Sequence, residues 1–220
     1  MGGVPPYTGN VPVYMKIHFR ELTKLSPTVI STVLKLVEET GELSREIQLF
    51  NASEKQENLP ALLGELMDVA QTTATLTFVL AHEEKVDIYK AMAAHLQKLS
   101  DKGYIKDRHD GVGGVAMKND GHLVLFLPKL DIKPDMTQTF LKLTEEAGEL
   151  VQIIGKKSGL SGETRNLLDD EQKEAEVSLA LLDVAQCCVT MLYIMAEEYN
   201  VNVDGLMKAH EMKLRKRGYL

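Results

Sequence analysis

Cysteine is nearly missing: of 220 residues only Cys187 and Cys188 carry a thiol, and they are neighbours. Adjacent cysteines in an apolar run build neither a spaced disulfide framework nor a CxxC metal knuckle, so they read as core packing in a reducing cytosol. An excess of positive charge is also lacking, with 25 Lys and Arg against 32 Asp and Glu and a net charge of −7. Without a basic stripe, neither nucleic acid nor an anionic membrane surface is expected as the main partner. The opening MGGVPPYTGN has no basic region followed by an apolar stretch, so no secretory leader is expected and the chain is placed in the cytoplasm. The one long apolar run, Ser178 to Ala196, carries Asp183 and Gln186 near its middle. Such groups are costly in hydrocarbon, which points to a buried core helix and not a membrane span.

What is present is enough apolar material for a real core, 44% hydrophobic residues with 26% charged, and a chain that contains itself twice. Leu34 to Leu43 reads LKLVEETGEL and Leu141 to Leu150 reads LKLTEEAGEL, eight of ten positions alike at an offset of 107. LMDVAQ ending at Gln71 returns as LLDVAQ ending at Gln186, and His95, Lys98, Leu99, Gly103 and Tyr104 return as His210, Lys213, Leu214, Gly218 and Tyr219, now at an offset of 115. The surplus of eight residues falls in the Gly/Ser/Asn-rich stretch KKSGLSGETRN, a loop that grew while the helices kept their order.

Each copy reads as three helices. In the first, Ser26–Pro27 is the expected start, and Val33, Leu36, Thr40, Leu43 and Ile47 make an apolar stripe of helical period to about Phe50. A second helix is expected from about Pro60 to His82 and a third from about Val86 to Lys102, ended by Gly103. The second copy repeats these near 136–157, 170–199 and 203–217. The expectation is therefore an all-α fold: an extension over 1–25, one helical unit over 26–104, a linker over 105–135 with a short strand at Leu123–Leu127, and a second unit over 136–220. Two such units joined by a long connector suggest a homodimer after gene fusion, packed as a bundle about a pseudo-two-fold axis.

The chemistry is carried by acids. Glu39 and Glu42 stand three apart on the first helix, and Glu65 and Asp68 three apart on the second, so each pair projects from one side of its helix. Glu65 falls inside the apolar stripe and Glu39 at its border, which points these acids inward. Clustered carboxylates repel one another and resist desolvation, and no arginine or lysine is expected on the same stripe of these helices, so a divalent cation is called for. All-oxygen ligation favours Mg²⁺ or Mn²⁺ over zinc. A di-iron site would need a Glu-x-x-His step, but the residues three before His82, His95 and His210 are Val79, Met92 and Met207. No phosphate-binding Gly-x-x-x-x-Gly-Lys-Ser/Thr loop occurs, and Gly111, Gly113 and Gly114 read as connector, not dinucleotide loop. His95 and His210, on the third helices, are expected away from the acids and engaged in packing or an interhelical hydrogen bond.

The order EExxE, spacer, ExxD, matched by Glu38, Glu39 and Glu42 and then Glu65 and Asp68, resembles the MazG-like, all-α nucleoside triphosphate pyrophosphohydrolases. That resemblance implies a metal held by Glu39, Glu42, Glu65 and Asp68, with Glu38 helping to position metal or water. It also implies a nucleoside triphosphate substrate, split to monophosphate and pyrophosphate. Basic residues late in each unit, Lys98 and Lys102 and then Lys213 and Arg217, occupy the place where such proteins meet the phosphates. The second unit keeps Glu145, Glu146, Glu149 and Asp183 but has Ala180 where the first has Glu65, so its site, Glu146, Glu149 and Asp183, is expected to be weakened or inactive. A nucleotide- or metal-binding regulator without turnover and a phosphoribosyl-ATP pyrophosphohydrolase are the alternative readings. Association into a dimer of chains is also expected.

Overall fold

The computed structural model describes residues 12–52, 56–83, 87–105, 113–118, 120–159, 162 and 170–220. Six helices dominate them: α1 (Val29–Ala52), α2 (Leu59–Glu83), α3 (Ile88–Asp101), α4 (Met136–Lys157), α5 (Asp170–Glu198) and α6 (Val203–Lys216). The all-α expectation is incomplete, because three strands accompany them: β1 (Tyr14–Arg20), β2 (Gly114–Lys118) and β3 (His122–Pro128). They form one antiparallel sheet in the order β1-β3-β2, with Ile17 opposite Leu125 at the middle of the first pair. β3 covers the short strand expected at Leu123–Leu127 within the linker, whereas β2 in that linker and β1 in the supposed extension were not expected.

The helix boundaries follow local chemistry. Thr28, not Ser26, caps α1: the Ser31 amide donates to Thr28 Oγ1 at 3.2 Å while the Thr28 amide donates to Ser31 Oγ at 2.9 Å. Asp135 and Gln138 form a reciprocal capping box at the start of α4. Gly103 and Gly218, at φ 69° and 75°, end α3 and α6 in the left-handed conformation that glycine adopts without strain. In each case the following tyrosine amide reaches back five residues, Tyr104 to Leu99 and Tyr219 to Leu214. At Gly113 a Cβ would stand 2.8 Å from Leu96 Cδ1, so a larger residue there would have to displace that leucine's side chain. Gly114 begins β2, whereas Gly111 and most of the KKSGLSGETRN stretch lie outside the described residues.

The core forms around α2 and α5, which pack on each other and on α1 and α4 respectively. Met15, Ile17 and Phe19 point inward from β1 with Leu123, Leu125 and Leu127 from β3, while Lys16, His18 and Arg20 point outward, the period of two of a half-buried strand. Buried threonines 73, 75 and 77 on α2 satisfy their hydroxyls on the carbonyls one turn earlier. The apolar run of α5 is 94% buried inside the fold, as expected for a core helix, and Cys187 and Cys188 are buried free thiols within it. The third helices are placed crosswise: α3 packs on α5 of the second repeat, and α6 on α2 of the first.

Candidate metal centre and its counterpart

One face of α1 and one of α2 bring three acids together. Carboxylate oxygens of Glu39, Glu42 and Glu65 lie within 4.8 Å of one another. Glu39 is buried and Glu65 half-buried, in keeping with the inward placement expected of these acids, whereas Glu42 is exposed and departs from it. Glu39 Oε2 and Glu65 Oε2 are buried and receive no hydrogen bond. Burial raises Glu65 above its ordinary range, and the charges of Asp68, Glu42 and Glu39 raise it further. Burial raises Glu39 as well, against the pull of Lys35.

Two expectations about charge need correction. Lys35, one helical turn before Glu39, donates to it at 2.6 Å and to the exposed Glu38 at 2.9 Å, so a lysine does sit beside this stripe. Its pairing with both acids outweighs the effect of burial and holds its ammonium above the usual lysine range. Asp68 is close enough for its charge to act on Glu39 and Glu65, but it stands apart from the compact trio. Lys213 Nζ of α6 donates to Asp68 Oδ2, and His210 Nδ1 lies 3.7 Å from Asp68 Oδ1. The third-helix histidines are thus not remote from the acid motifs; each meets an aspartate of the other repeat. Burial lowers His210 to about 4, leaving it neutral at physiological pH.

The second repeat has the same partners in the opposite sense. Asp183 on α5 accepts from His95 Nδ1 at 3.1 Å and from Lys98 Nζ at 2.5 Å, both on α3. Burial acts to raise Asp183, but these two donors outweigh it and hold the carboxyl below the ordinary range. Lys142 donates to Glu146 at 2.7 Å and Glu145 at 3.0 Å, as Lys35 does to Glu39 and Glu38. Ala180 is buried where Glu65 stands in the first repeat, Glu149 is exposed, and among the described residues no acid trio forms here. Lys98 and Lys102 therefore belong beside the second repeat's acids, and Lys213 and Arg217 beside the first's.

One glutamate and the aspartate of each set border a cleft. The first, about 450 Å³, is lined by Lys35, Glu39, Asp68 and Gln71 with Arg217 and Tyr219 from the chain's end. The second, about 170 Å³, is lined by their counterparts under the repeat: Lys142, Glu146, Asp183 and Gln186 with Lys102 and Tyr104. Gln71 and Gln186 are fixed alike, their amides donating at 3.0 Å to the carbonyls of Arg20 and Pro128, the last residues of β1 and β3. Lys35, Lys142 and the two glutamines were not singled out in the sequence, although the Lys-to-Glu spacing of four and the recurrence of glutamine in the second block signal them.

The hard oxygen donors and the two orphaned buried carboxylate oxygens fit a small divalent cation, which would supply the donors' missing partner. Comparison with protein-family models, curated proteins and solved structures finds no match to this chain.

Proposed function

We propose that the first cleft is the site of a metal-dependent nucleoside triphosphate pyrophosphohydrolase of MazG-like character. The observation that carries this reading is the trio Glu39, Glu42 and Glu65, with carboxylate oxygens within 4.8 Å of one another, in which Glu39 Oε2 and Glu65 Oε2 are buried without a donor and Glu39 also lines the open cleft. Packed acids of this kind are costly unless a cation completes them, and oxygen-only ligation suits Mg²⁺ or Mn²⁺. Glu39, Glu42 and Glu65 would hold it, with Asp68 joining when Lys213 lets go. When bound, such an ion neutralises phosphate charge and lowers the pKa of a water for attack on phosphorus.

The chain's own residues do the rest. Lys35 steadies Glu39, and Glu38 steadies Lys35 in turn. Arg217, exposed at the cleft, and Lys213, once released, offer positive charge to a triphosphate. Leu22, Leu25 and Pro27 supply an apolar wall suited to a nucleoside.

We further read the architecture as two units related by a pseudo-two-fold axis, each beginning with a strand: β1 with α1–α3, and β3 with α4–α6. Support comes from reciprocal contacts. The Asp131 amide donates to Tyr104 O at 2.8 Å and the Lys24 amide to Tyr219 O at 3.4 Å, and position 131 follows position 24 by the repeat's own 107. The β1–β3 register is also self-consistent: Tyr14 pairs with Pro128 and Arg20 with His122, as two copies of one strand crossing at Ile17 and Leu125 would. In this reading neither unit's cleft is complete without the other unit's third helix.

The test is release of pyrophosphate from a panel of ordinary and modified nucleoside triphosphates with Mg²⁺ or Mn²⁺. Turnover should fall at least roughly 100-fold in Glu65→Gln, because even supporting residues of metal sites are worth about 10–100-fold. Unchanged turnover in that variant, with the fold intact, refutes the site.

A further inference from the structure

The second cleft has lost the chemistry of the first but has not closed. With Ala180 in place of a third carboxylate, and Asp183 already satisfied by His95 and Lys98, little remains among the described residues there to draw in a divalent cation. Yet a cavity of about 170 Å³ persists between α3, α4 and α5. Two residues lining it, Glu146 and Gln186, are each only 4% exposed, and each has a buried oxygen with no donor: Glu146 Oε2 and Gln186 Oε1. Buried acceptors without partners are rare in folded proteins, and among the described residues no metal trio accounts for them.

The other walls narrow the missing partner. Tyr104, Ile132, Pro134 and Cys187 make an apolar surface, and Lys102 lies over the Tyr104 ring at 5.9 Å with its ammonium at the rim. The volume is below the roughly 300–1,000 Å³ of pockets that enclose drug-sized ligands, so it admits a flat ring and leaves the rest of a ligand outside. A ligand that fits must therefore bring hydrogen-bond donors on a flat apolar body and an anionic group at one end.

We infer that the second cleft is a metal-independent binding site for a nucleoside monophosphate whose base carries an exocyclic amino group. The amino group donates to Glu146 Oε2 and Gln186 Oε1, the base lies along Tyr104 and Cys187, and the phosphate meets Lys102. The inference rests on the reading of the first cleft as a nucleotide site, because the two linings correspond residue by residue. It adds a second, non-hydrolytic site that senses the product class of the first.

The chain contains no tryptophan, so Tyr104→Trp places a single tryptophan, excited apart from the tyrosines, at this cleft. The full-length variant, held in EDTA, is titrated with AMP and with IMP, which differ in the amino group. Saturable quenching by AMP, at least tenfold weaker with IMP, is expected. It should be abolished by Cys187→Phe, which fills the cavity, and weakened at least tenfold by Ile132→Glu, a rim substitution at a position 42% exposed that leaves the core untouched. It should persist in Glu65→Gln. Absence of saturable quenching, equal response to AMP and IMP, or quenching indifferent to both cleft substitutions overturns the inference. Pyrophosphate release is measured in parallel: turnover without AMP quenching sinks the second site alone, and AMP quenching without turnover sinks the first.

Discussion

Lys213 on α6 donates to Asp68 on α2, and Lys98 on α3 donates to Asp183 on α5, so the third helix of each repeat neutralises an acid on the second helix of the other. In the first repeat this lysine occupies a carboxylate that the proposed cation also needs. Metal and lysine should compete. Lys213→Met is expected to tighten Mn²⁺ binding about three- to tenfold, the worth of roughly one ordinary hydrogen bond because the lysine is about one-third exposed, while lowering turnover. Isothermal titration beside a kinetic assay separates the two effects.

In the second repeat the same arrangement is structural. Asp183→Asn keeps one acceptor oxygen but removes the charge and the second acceptor, so His95, fully buried, and Lys98 can no longer both be satisfied. Because Lys98 is about one-third exposed, the loss is expected below the roughly 3–5 kcal/mol of a fully buried broken pair, at about 2 kcal/mol. A thermal melt should drop by about 4–8 °C in a chain of this size.

The raised carboxyls of the first cleft give stability a definite pH sign. Glu65 is pushed above its ordinary value of 4.5 by burial and then by neighbouring acids. Below 4.5 it is protonated in both folded and unfolded chains and contributes nothing. As the pH rises past that value the unfolded chain ionises first, and stability falls until the folded carboxyl also ionises. In metal-free buffer, Glu65→Gln should melt like the wild type near pH ~4 and above it near pH ~7, by about 2–4 °C for each ~1 kcal/mol relieved. Added Mg²⁺ should close that gap by stabilising the wild type alone.

Restoring the missing ligand should rebuild a cation site. Ala180→Glu places a third carboxylate near Glu146 and Glu149, at the position that Glu65 holds in the first repeat. The variant is expected to lose about 1–3 kcal/mol without metal, since position 180 is buried. It should also bind one more equivalent of Mn²⁺ than the wild type, counted by equilibrium dialysis.

Much of this arrangement was legible in the chain because helices write their burial at a period of 3.6, and α1 through α6 fall within a few residues of the expected spans. The trio Glu39, Glu42 and Glu65 was legible for the same reason. β1 was legible in principle, since Met15, Ile17 and Phe19 alternate with Lys16, His18 and Arg20, but a search centred on helical repeats passes over seven residues of period two. The pairing of Lys35 with Glu39 was written in a spacing of four. The crossing of α3 and α6 was not written locally: which acid His95 and Lys98 meet depends on the path of the chain between elements, and no residue spacing encodes that.

The central claim is that three acids of the first repeat grip a hard cation, and Mn²⁺ binding to wild type and Glu65→Gln at neutral pH tests it most directly. The account predicts saturable binding by the wild type, weakened at least about tenfold in the variant while its circular dichroism is unchanged. Equal affinity and equal stoichiometry in the two proteins would contradict it.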